Sequence, residues 1–252
     1  MYPREKESAL HQAQEIMWEA WDEPDKRTRL RLARQALKIS QDCADAYVLL
    51  ALDSAKTPDE AMELYKKGME AGERAIGEKM FKEEVGYFWG ILETRPYMRA
   101  RVGFANSLRE SGNLEEAVEH YKDILRLNPE DNQGIRDILM PCLIVLNRDK
   151  EAKALHRRYK DDSLACWAYS KALLDFRSSG GSSTANNSLA VAFKKNKHIP
   201  IYLLGIKKVP RRLPEYYSPG DTNEAVIYVH GNLAAWKASP GALDWFAQQL
   251  PT

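Results

Sequence analysis

One segment near the C-terminus has the residue order of a hydrolase oxyanion site. The run Ala225-Val226-Ile227-Tyr228-Val229-His230-Gly231-Asn232 combines an apolar stretch with a terminal His-Gly. In many α/β-hydrolases the oxyanion hole begins at the end of an apolar strand with this residue order. These enzymes also carry a nucleophilic serine in the motif G-x-S-x-G. That motif is missing from the sequence, and only 20 residues follow Asn232. Hydrolysis is therefore the least favoured of three candidate functions, and the other two are protein binding and RNA association.

Histidine and cysteine spacing gives no metal-ligand pattern. The histidines never stand as H-E-x-x-H, and no cysteine is near enough in sequence to complete a zinc set. Cys43, Cys142 and Cys166 are odd in number and far apart, which fits reduced core thiols better than disulfides. Neither G-x-G-x-x-G nor a Walker A loop occurs. We therefore expect no enzyme activity, no catalytic residues, no metal and no cofactor.

Basic and aromatic residues are interleaved between positions 194 and 217. The basic members are Lys194, Lys195, Lys197, His198, Lys207, Lys208, Arg211 and Arg212, and the aromatic members are Tyr202, Tyr216 and Tyr217. Such a pattern can hold single-stranded nucleic acid, whose bases stack on aromatic rings. It also fits an acidic protein partner or a surface that only faces solvent. We favour the last two, and RNA association is the alternative function.

The segment 98–129 indicates the kind of helices that would position such residues. Gly112 separates two helical stretches, Ala117 is small enough for close helix crossing, Tyr121 fills the gap one turn later, and Pro129 ends the second helix. These residue types at these offsets form the second-helix half of a tetratricopeptide (TPR) repeat, which pairs two antiparallel helices over about 34 residues. The segment therefore predicts a helical scaffold for protein binding.

The same register extends over most of the chain. Repeats are predicted at about 44–77, 98–131, 132–165 and 166–199, after a capping hairpin over 1–43 and before an irregular Pro-rich segment and capping helices over 200–252. An extra stretch over 78–92 has helical spacing but does not fit the period. We predict one all-α domain over 1–252, a right-handed TPR-like α-solenoid of about five helical hairpins with C-terminal capping helices.

Local signals indicate several helix ends. Thr57 followed by Glu60 predicts a capping box, with Pro58 at the first helical position. The predicted turn over 22–25 joins the two helices of the first hairpin. At the other end, the chain after Pro200 is too rich in proline for a regular helix, and two capping helices are predicted to follow over 223–238 and 240–249.

Several motifs resemble those of a known family. They are the run from 42 to 51 (DCADAYVLLA), the run from 196 to 204 (NKHIPIYLL), Gly220-Asp221, Glu224-Ala225, and Leu233-Ala234-Ala235-Trp236-Lys237 with Gly241-Ala242-Leu243. They resemble the suppressor-of-tumorigenicity-7 family and its soluble bacterial relatives, over roughly residues 30–245. The resemblance implies a TPR-like helical protein without established catalytic residues. Animal members resemble membrane proteins outside this region.

In a TPR array, first-helix residues line the concave groove. The register turns Arg99, Asn106 and Arg109 toward it, with Gln133 and Arg136 from the next repeat. Arginine presents a planar fork of donors suited to a carboxylate, and asparagine can hydrogen-bond a peptide backbone. We predict an acidic or carboxylate-bearing peptide ligand. Replacing Arg99, Arg109 and Arg136 together with glutamate is expected to abolish partner capture and to leave the helical fold intact, because charges on a solvated face contribute little to stability. In the alternative, these side chains are solvated or pair with Glu110 and Asp137.

Hydropathy predicts no membrane span. The longest apolar run, 138–146, is interrupted by Pro141 and is far shorter than the roughly 20 residues of a membrane helix. The N-terminus leads into a charged helix instead of the apolar core of a signal peptide. We therefore expect a cytoplasmic protein.

Charge is distributed unevenly along the 252 residues. Residues 1–93 carry 14 Lys+Arg against 19 Asp+Glu, whereas residues 151–252 carry 14 against 8. Such an asymmetry could steer a charged partner or a neighbouring copy head-to-tail, but a solvated surface without such a role is favoured. The function predicted from the repeat pattern is a non-enzymatic scaffold for protein–protein interaction.

Overall fold

The computed structural model describes residues 3–250, with side chains from residue 9 onward. Within this range every regular element is a helix and no β-strand forms. The helices are α1 Pro3–Asp22, α2 Lys26–Ile39, α3 Ala44–Ser54, α4 Pro58–Glu83, α5 Arg95–Glu110, α6 Leu114–Leu127, α7 Ile135–Val145, α8 Asp149–Arg158, α9 Ala165–Ser179, α10 Ser183–Lys195, α11 Ile199–Leu203, α12 Thr222–Lys237 and α13 Ala242–Gln248, with a 3-10 turn at Leu92–Thr94. The predicted all-α fold is confirmed.

The helices form two compact units, residues 1–135 and 136–252. In the first unit each of α1 to α5 packs on the next helix in sequence. In the second unit α9 packs on α8 and α10, and α12 packs on α9, α11 and α13. Packing between sequence neighbours is typical of an α-solenoid. Because repeats in such an array contact mainly their neighbours, this division does not decide between one domain and two, and the single predicted domain stays a prediction.

Side-chain caps fix the start of several helices. Asp25 accepts a hydrogen bond from the Thr28 amide at 2.8 Å, at the start of α2. Thr57 accepts from the Glu60 amide at 3.2 Å, with Pro58 at the first helical position as predicted. The Glu60 carboxylate accepts from the Lys56 amide at 2.8 Å. The reciprocal bond of this capping box therefore reaches one residue further back than the motif predicts.

The predicted helical stretch over 78–92 is wrong beyond Glu83. The helix α4 bends at Gly77, whose φ is +73° and ψ is 159°, and ends at Glu83. The chain then turns, because the amides of Gly86 and Phe88 both donate to the carbonyl of Leu127, at 3.1 and 3.2 Å. Phe81 and Phe88 pack on Tyr97 of α5, whereas Val85 and Leu92 are exposed, so the apolar spacing of this stretch does not mark one buried helical face.

The register from residue 98 matches the hairpin of α5 and α6. Gly112 has a φ of +90°, a conformation that side chains rarely adopt, and it lies in the turn between the helices. Ala117 and Tyr121 are both fully buried. The tight turn and the small residue therefore lie where the repeat pattern placed them.

Replacing Ala117 with leucine is expected to lower the free energy of unfolding by about 1–3 kcal/mol, because the larger side chain must displace neighbours in a filled core. Ala154→Leu, at an exposed position of α8, is the control and is expected to have little effect. Thermal melting of both variants measures the difference. An unchanged melting midpoint for Ala117→Leu would show that the assigned register is wrong.

The segment with the hydrolase-like residue order is helical. Val226, Tyr228 and Val229 are buried side chains of α12, and this helix and α13 confirm the two predicted capping helices. A strand that ends in an oxyanion donor is therefore not formed at this place. No helix within residues 3–250 has the length and apolarity needed to cross a membrane.

Candidate interaction surfaces

Arg99, the first of the predicted groove residues, binds a buried carboxylate. Its Nε and Nη2 donate to Oδ1 and Oδ2 of Asp45 at 2.8 and 2.6 Å. The Asp45 side chain is fully buried, and Gln14 Nε2 donates to its Oδ2 at 2.9 Å. Because Gln14, Asp45 and Arg99 belong to α1, α3 and α5, this network ties three helices of the first unit together.

Arg136 has the same kind of partner in the second unit. Its Nε and Nη2 donate to Oδ2 of Asp162 at 2.9 and 2.7 Å, and Asp162 is nearly buried. The guanidinium also lies 5.3 Å from the ring centroid of Tyr159. The expectation of an intact fold assumed that these arginines lie on a solvated face, and this premise is wrong at Arg99 and Arg136, where glutamate would place a carboxylate against a buried aspartate.

The other three predicted groove residues differ in whether their polar atoms already have a partner within the chain. Asn106 Oδ1 accepts a hydrogen bond from the Tyr121 hydroxyl at 2.7 Å. Arg109 Nη2 lies 3.6 Å from Glu110 Oε1, the pairing considered as the alternative. Gln133 is half-buried, and its Oε1 has no hydrogen-bond partner within the described part of the chain. Ligand binding by these residues stays a prediction.

Exposed cations are concentrated between α10 and α12. We call residues 194–217 the basic segment. Its exposed cations are Lys194, Lys195, Lys197, Lys207, Lys208, Arg211 and Arg212. Among them, within residues 9–250, only Arg212 forms a salt bridge, to Glu215 at 2.8 Å, where both side chains are exposed. Lys207 Nζ lies 5.3 Å from the ring centroid of Tyr202. Unlike Arg99 and Arg136, these cations are open to a partner.

The end of the basic segment borders an open depression of about 470 Å³. It is lined by Arg212, Leu213, Pro214, Glu215, Tyr216 and Asn223. Asn223 Nδ2 donates to the Tyr216 carbonyl at 3.0 Å, while the Tyr216 side chain is 82% exposed. The backbone here is thus held to α12, and the aromatic ring is presented to solvent.

Several motif residues near the C-terminus form one buried network. Glu224 is buried, and its Oε1 accepts from the Ala165 amide at 3.1 Å. Its Oε2 accepts from Asn196 Nδ2 at 2.8 Å and from the Gly220 amide at 2.6 Å. Asn196 Nδ2 also donates to the Asp221 carbonyl at 2.8 Å. These residues fasten the irregular segment to α9 and α12, a role that sequence analysis missed although Asp221 and Glu224 have capping-box spacing.

The three cysteines are free thiols, of which Cys166 is partly exposed. Burial raises the pKa of Cys43 to about 12, and burial together with the nearby Asp137 and Asp162 carboxylates raises the pKa of Cys166 well above its usual value. Cys142 is also buried. Within residues 9–250, no group of three or more His, Cys, Asp or Glu side chains could hold a metal ion.

The folded protein is therefore expected to react slowly with a thiol reagent at pH 8. The thiolate is the reactive form, and a raised pKa keeps its population low at that pH. Denatured protein should react rapidly at all three positions. Absorbance after addition of Ellman's reagent, with and without denaturant, makes the comparison. Rapid reaction of more than one thiol per chain in the folded protein would contradict the burial of Cys43 and Cys142.

Comparisons with known proteins agree with the motif resemblance. A family model described as ST7 protein matches residues 4–249. The chain is 29% identical to Suppressor of tumorigenicity 7 protein-like from Homo sapiens, over 93% of this chain and 44% of that protein. The protein of the same name from Bos taurus is 30% identical over 93% of this chain and 46% of its own length. Protein ST7 homolog from Drosophila melanogaster is 29% identical over 91% of this chain and 47% of its own length.

The chain spans less than half the length of these curated relatives. The family match, in contrast, covers nearly all of the chain, including the helices at both ends. The chain therefore belongs to the ST7 family.

Proposed function

We propose that this chain is a non-enzymatic helical scaffold that binds an acidic protein partner through the basic segment. The observation that carries the proposal is the contrast between two sets of cations. Arg99 and Arg136 bind buried carboxylates of the chain itself, whereas Lys207, Lys208 and Arg211 are exposed and make no salt bridge within residues 9–250. Exposed cations of one sign attract an acidic surface and speed its association.

Apolar side chains in the same place add to the proposed contact. Ile206 is 71% exposed and Tyr216 is 82% exposed, and Arg211 and Arg212 lie between them in sequence. Tyrosine and arginine are enriched at the centre of protein interfaces, where they carry much of the binding energy. The partner surface that fits is therefore acidic with an apolar centre. The groove predicted from the repeat register remains a second protein-binding candidate, with Arg109 as its more available cation.

RNA association is the second candidate function. It is favoured by the neighbouring Tyr216 and Tyr217, both exposed, beside the exposed Arg211 and Arg212. Bases stack on aromatic rings and on arginine, and the phosphates are neutralised by cations. The same surface thus suits either an acidic protein or a single strand.

Affinity capture from the source cell, with and without nuclease, separates the two candidates. We expect a protein partner to be retained after nuclease treatment and to be released as salt is raised, because contacts between exposed charges are screened. Release of every captured protein by nuclease alone would favour RNA association. A partner retained at all salt concentrations would contradict an electrostatic contact.

A further inference from the structure

The turn between α4 and α5 presents an apolar surface to solvent. We call residues 85–92 the apolar loop. Tyr87 is 71% exposed and Leu92 is 61% exposed, and Val85 is exposed as well. Three large apolar side chains within eight residues are more than the scattered exposure that is normal for a protein surface. Clusters of this kind mark interaction sites.

The apolar loop is held in one conformation despite this exposure. Phe88 is fully buried, with its ring centroid 5.1 Å from that of Phe81. The Thr94 hydroxyl donates to the carbonyls of Phe88 and Ile91, and Arg95 Nε donates to the Trp89 carbonyl at 2.8 Å. Because the backbone is already ordered, docking of a partner would lose little conformational entropy there.

Arg95 beside the apolar loop is engaged with Trp89 of the loop itself, through the carbonyl and the ring, whereas the other flanking charged residues that lack an ion pair in the described part of the chain are acidic. Glu84 and Glu93 flank it, and neither forms a salt bridge within residues 9–250. The nearest lysines on α4 pair with other carboxylates: Lys79 with Glu83 at 3.8 Å and Lys82 with Glu78 at 3.3 Å. The surface that complements this loop therefore has an apolar centre and a basic rim.

We propose that the apolar loop of one molecule docks on the basic segment of a second copy of this chain. The basic segment has the required chemistry, since Ile206 and Tyr216 are exposed among Lys207, Lys208 and Arg211. The overall charge agrees: residues 1–135 carry 20 Lys+Arg against 26 Asp+Glu, and residues 136–252 carry 17 against 10. The proposal rests on the basic segment being a binding surface, as in the proposed function.

Such a contact joins two different surfaces, so a dimer keeps one free loop and one free basic segment. Head-to-tail contacts of this type build rings if the rotation closes and open chains if it does not. The average mass of the purified protein should therefore rise with concentration and fall when salt is added.

Two variants, each disabled on one surface, test the proposal in sedimentation velocity. The loop variant carries Tyr87→Ser and Leu92→Ser, and the segment variant carries Lys207→Glu, Lys208→Glu and Arg211→Glu. Each alone should self-associate at least about tenfold more weakly than the unmodified chain, a change of roughly 1.4 kcal/mol. Mixed in equal amounts they should form a one-to-one dimer and nothing larger, because each supplies the surface that the other lacks. Leu52→Ser, at another exposed leucine of the first unit, should change nothing.

A chain that stays monomeric at all concentrations would overturn the proposal. So would a loop variant that associates as strongly as the unmodified chain, or a mixture without heterodimers. Affinity capture with the segment variant shows whether self-docking or the proposed function is wrong. If the segment variant loses its cellular partner while the unmodified chain is monomeric, the basic segment binds another protein and self-docking is wrong. If it keeps the partner, the proposed function is wrong.

Discussion

Arg99→Ala is expected to lower the free energy of unfolding by about 3–5 kcal/mol. The substitution removes both guanidinium donors from Asp45 and leaves that carboxylate fully buried with Gln14 as its remaining side-chain donor. Removing one partner of a buried pair is costly because the other charge stays out of water without compensation. The effect should extend beyond α5, since the network also includes α1 and α3.

Arg109→Ala is the matched control on the same helix. The two arginine side chains are equally accessible, at 34% and 35%, but Arg109 faces the exposed carboxylate of Glu110 at 3.6 Å. Exposed pairs contribute at most about 1 kcal/mol. Urea unfolding followed by circular dichroism compares the variants. Equal losses of stability in the two variants would show that pairing with a buried carboxylate does not make Arg99 more important than Arg109.

Glu224→Ala is expected to lower the free energy of unfolding by at least about 2 kcal/mol. Glu224 is buried and accepts from three donors, namely the amides of Ala165 and Gly220 and Nδ2 of Asn196. Each buried donor left without an acceptor costs about 1–3 kcal/mol. Asn196 keeps its bond to the Asp221 carbonyl, so the two amides carry most of the loss.

Glu224→Gln is the conservative comparison, because its carbonyl oxygen can still accept a hydrogen bond. We expect a smaller loss of stability than with alanine. Limited proteolysis adds a local readout: cleavage within residues 204–221 should become faster in Glu224→Ala, since the carboxylate anchors this segment through Gly220. If Glu224→Ala had the same stability and the same cleavage rate as Glu224→Gln, the anchoring role would be contradicted.

Much of the fold could be predicted because its signals are local. Asp25, Thr57 and Gly112 each specify a helix start or a turn through neighbours a few residues away. The stretch after Glu83 was mispredicted for the opposite reason. Its conformation depends on the Leu127 carbonyl, which is far away in sequence, while the aromatic residues imitate a helical period by packing on α5.

The partners of the predicted groove residues could not be predicted from the sequence, and the groove itself stays a prediction. The repeat register assigns a side chain to a face of its helix, but it does not identify the partner across that face. Asp45 lies 54 residues before Arg99, and Asp162 lies 26 residues after Arg136. Both pairings depend on helix packing, which the sequence pattern leaves unspecified. Substituting the groove arginines therefore tests stability before it tests binding.

Charge reversal in the basic segment tests the central claim most directly. Lys207, Lys208, Arg211 and Arg212 are replaced together by glutamate, and affinity capture is repeated after nuclease treatment. The control reverses four exposed lysines of α4, Lys66, Lys67, Lys79 and Lys82, which changes the net charge equally. We predict that the first variant keeps its helical spectrum and loses the protein partner, whereas the control retains it. Equal capture by both variants would contradict a scaffold that binds through the basic segment.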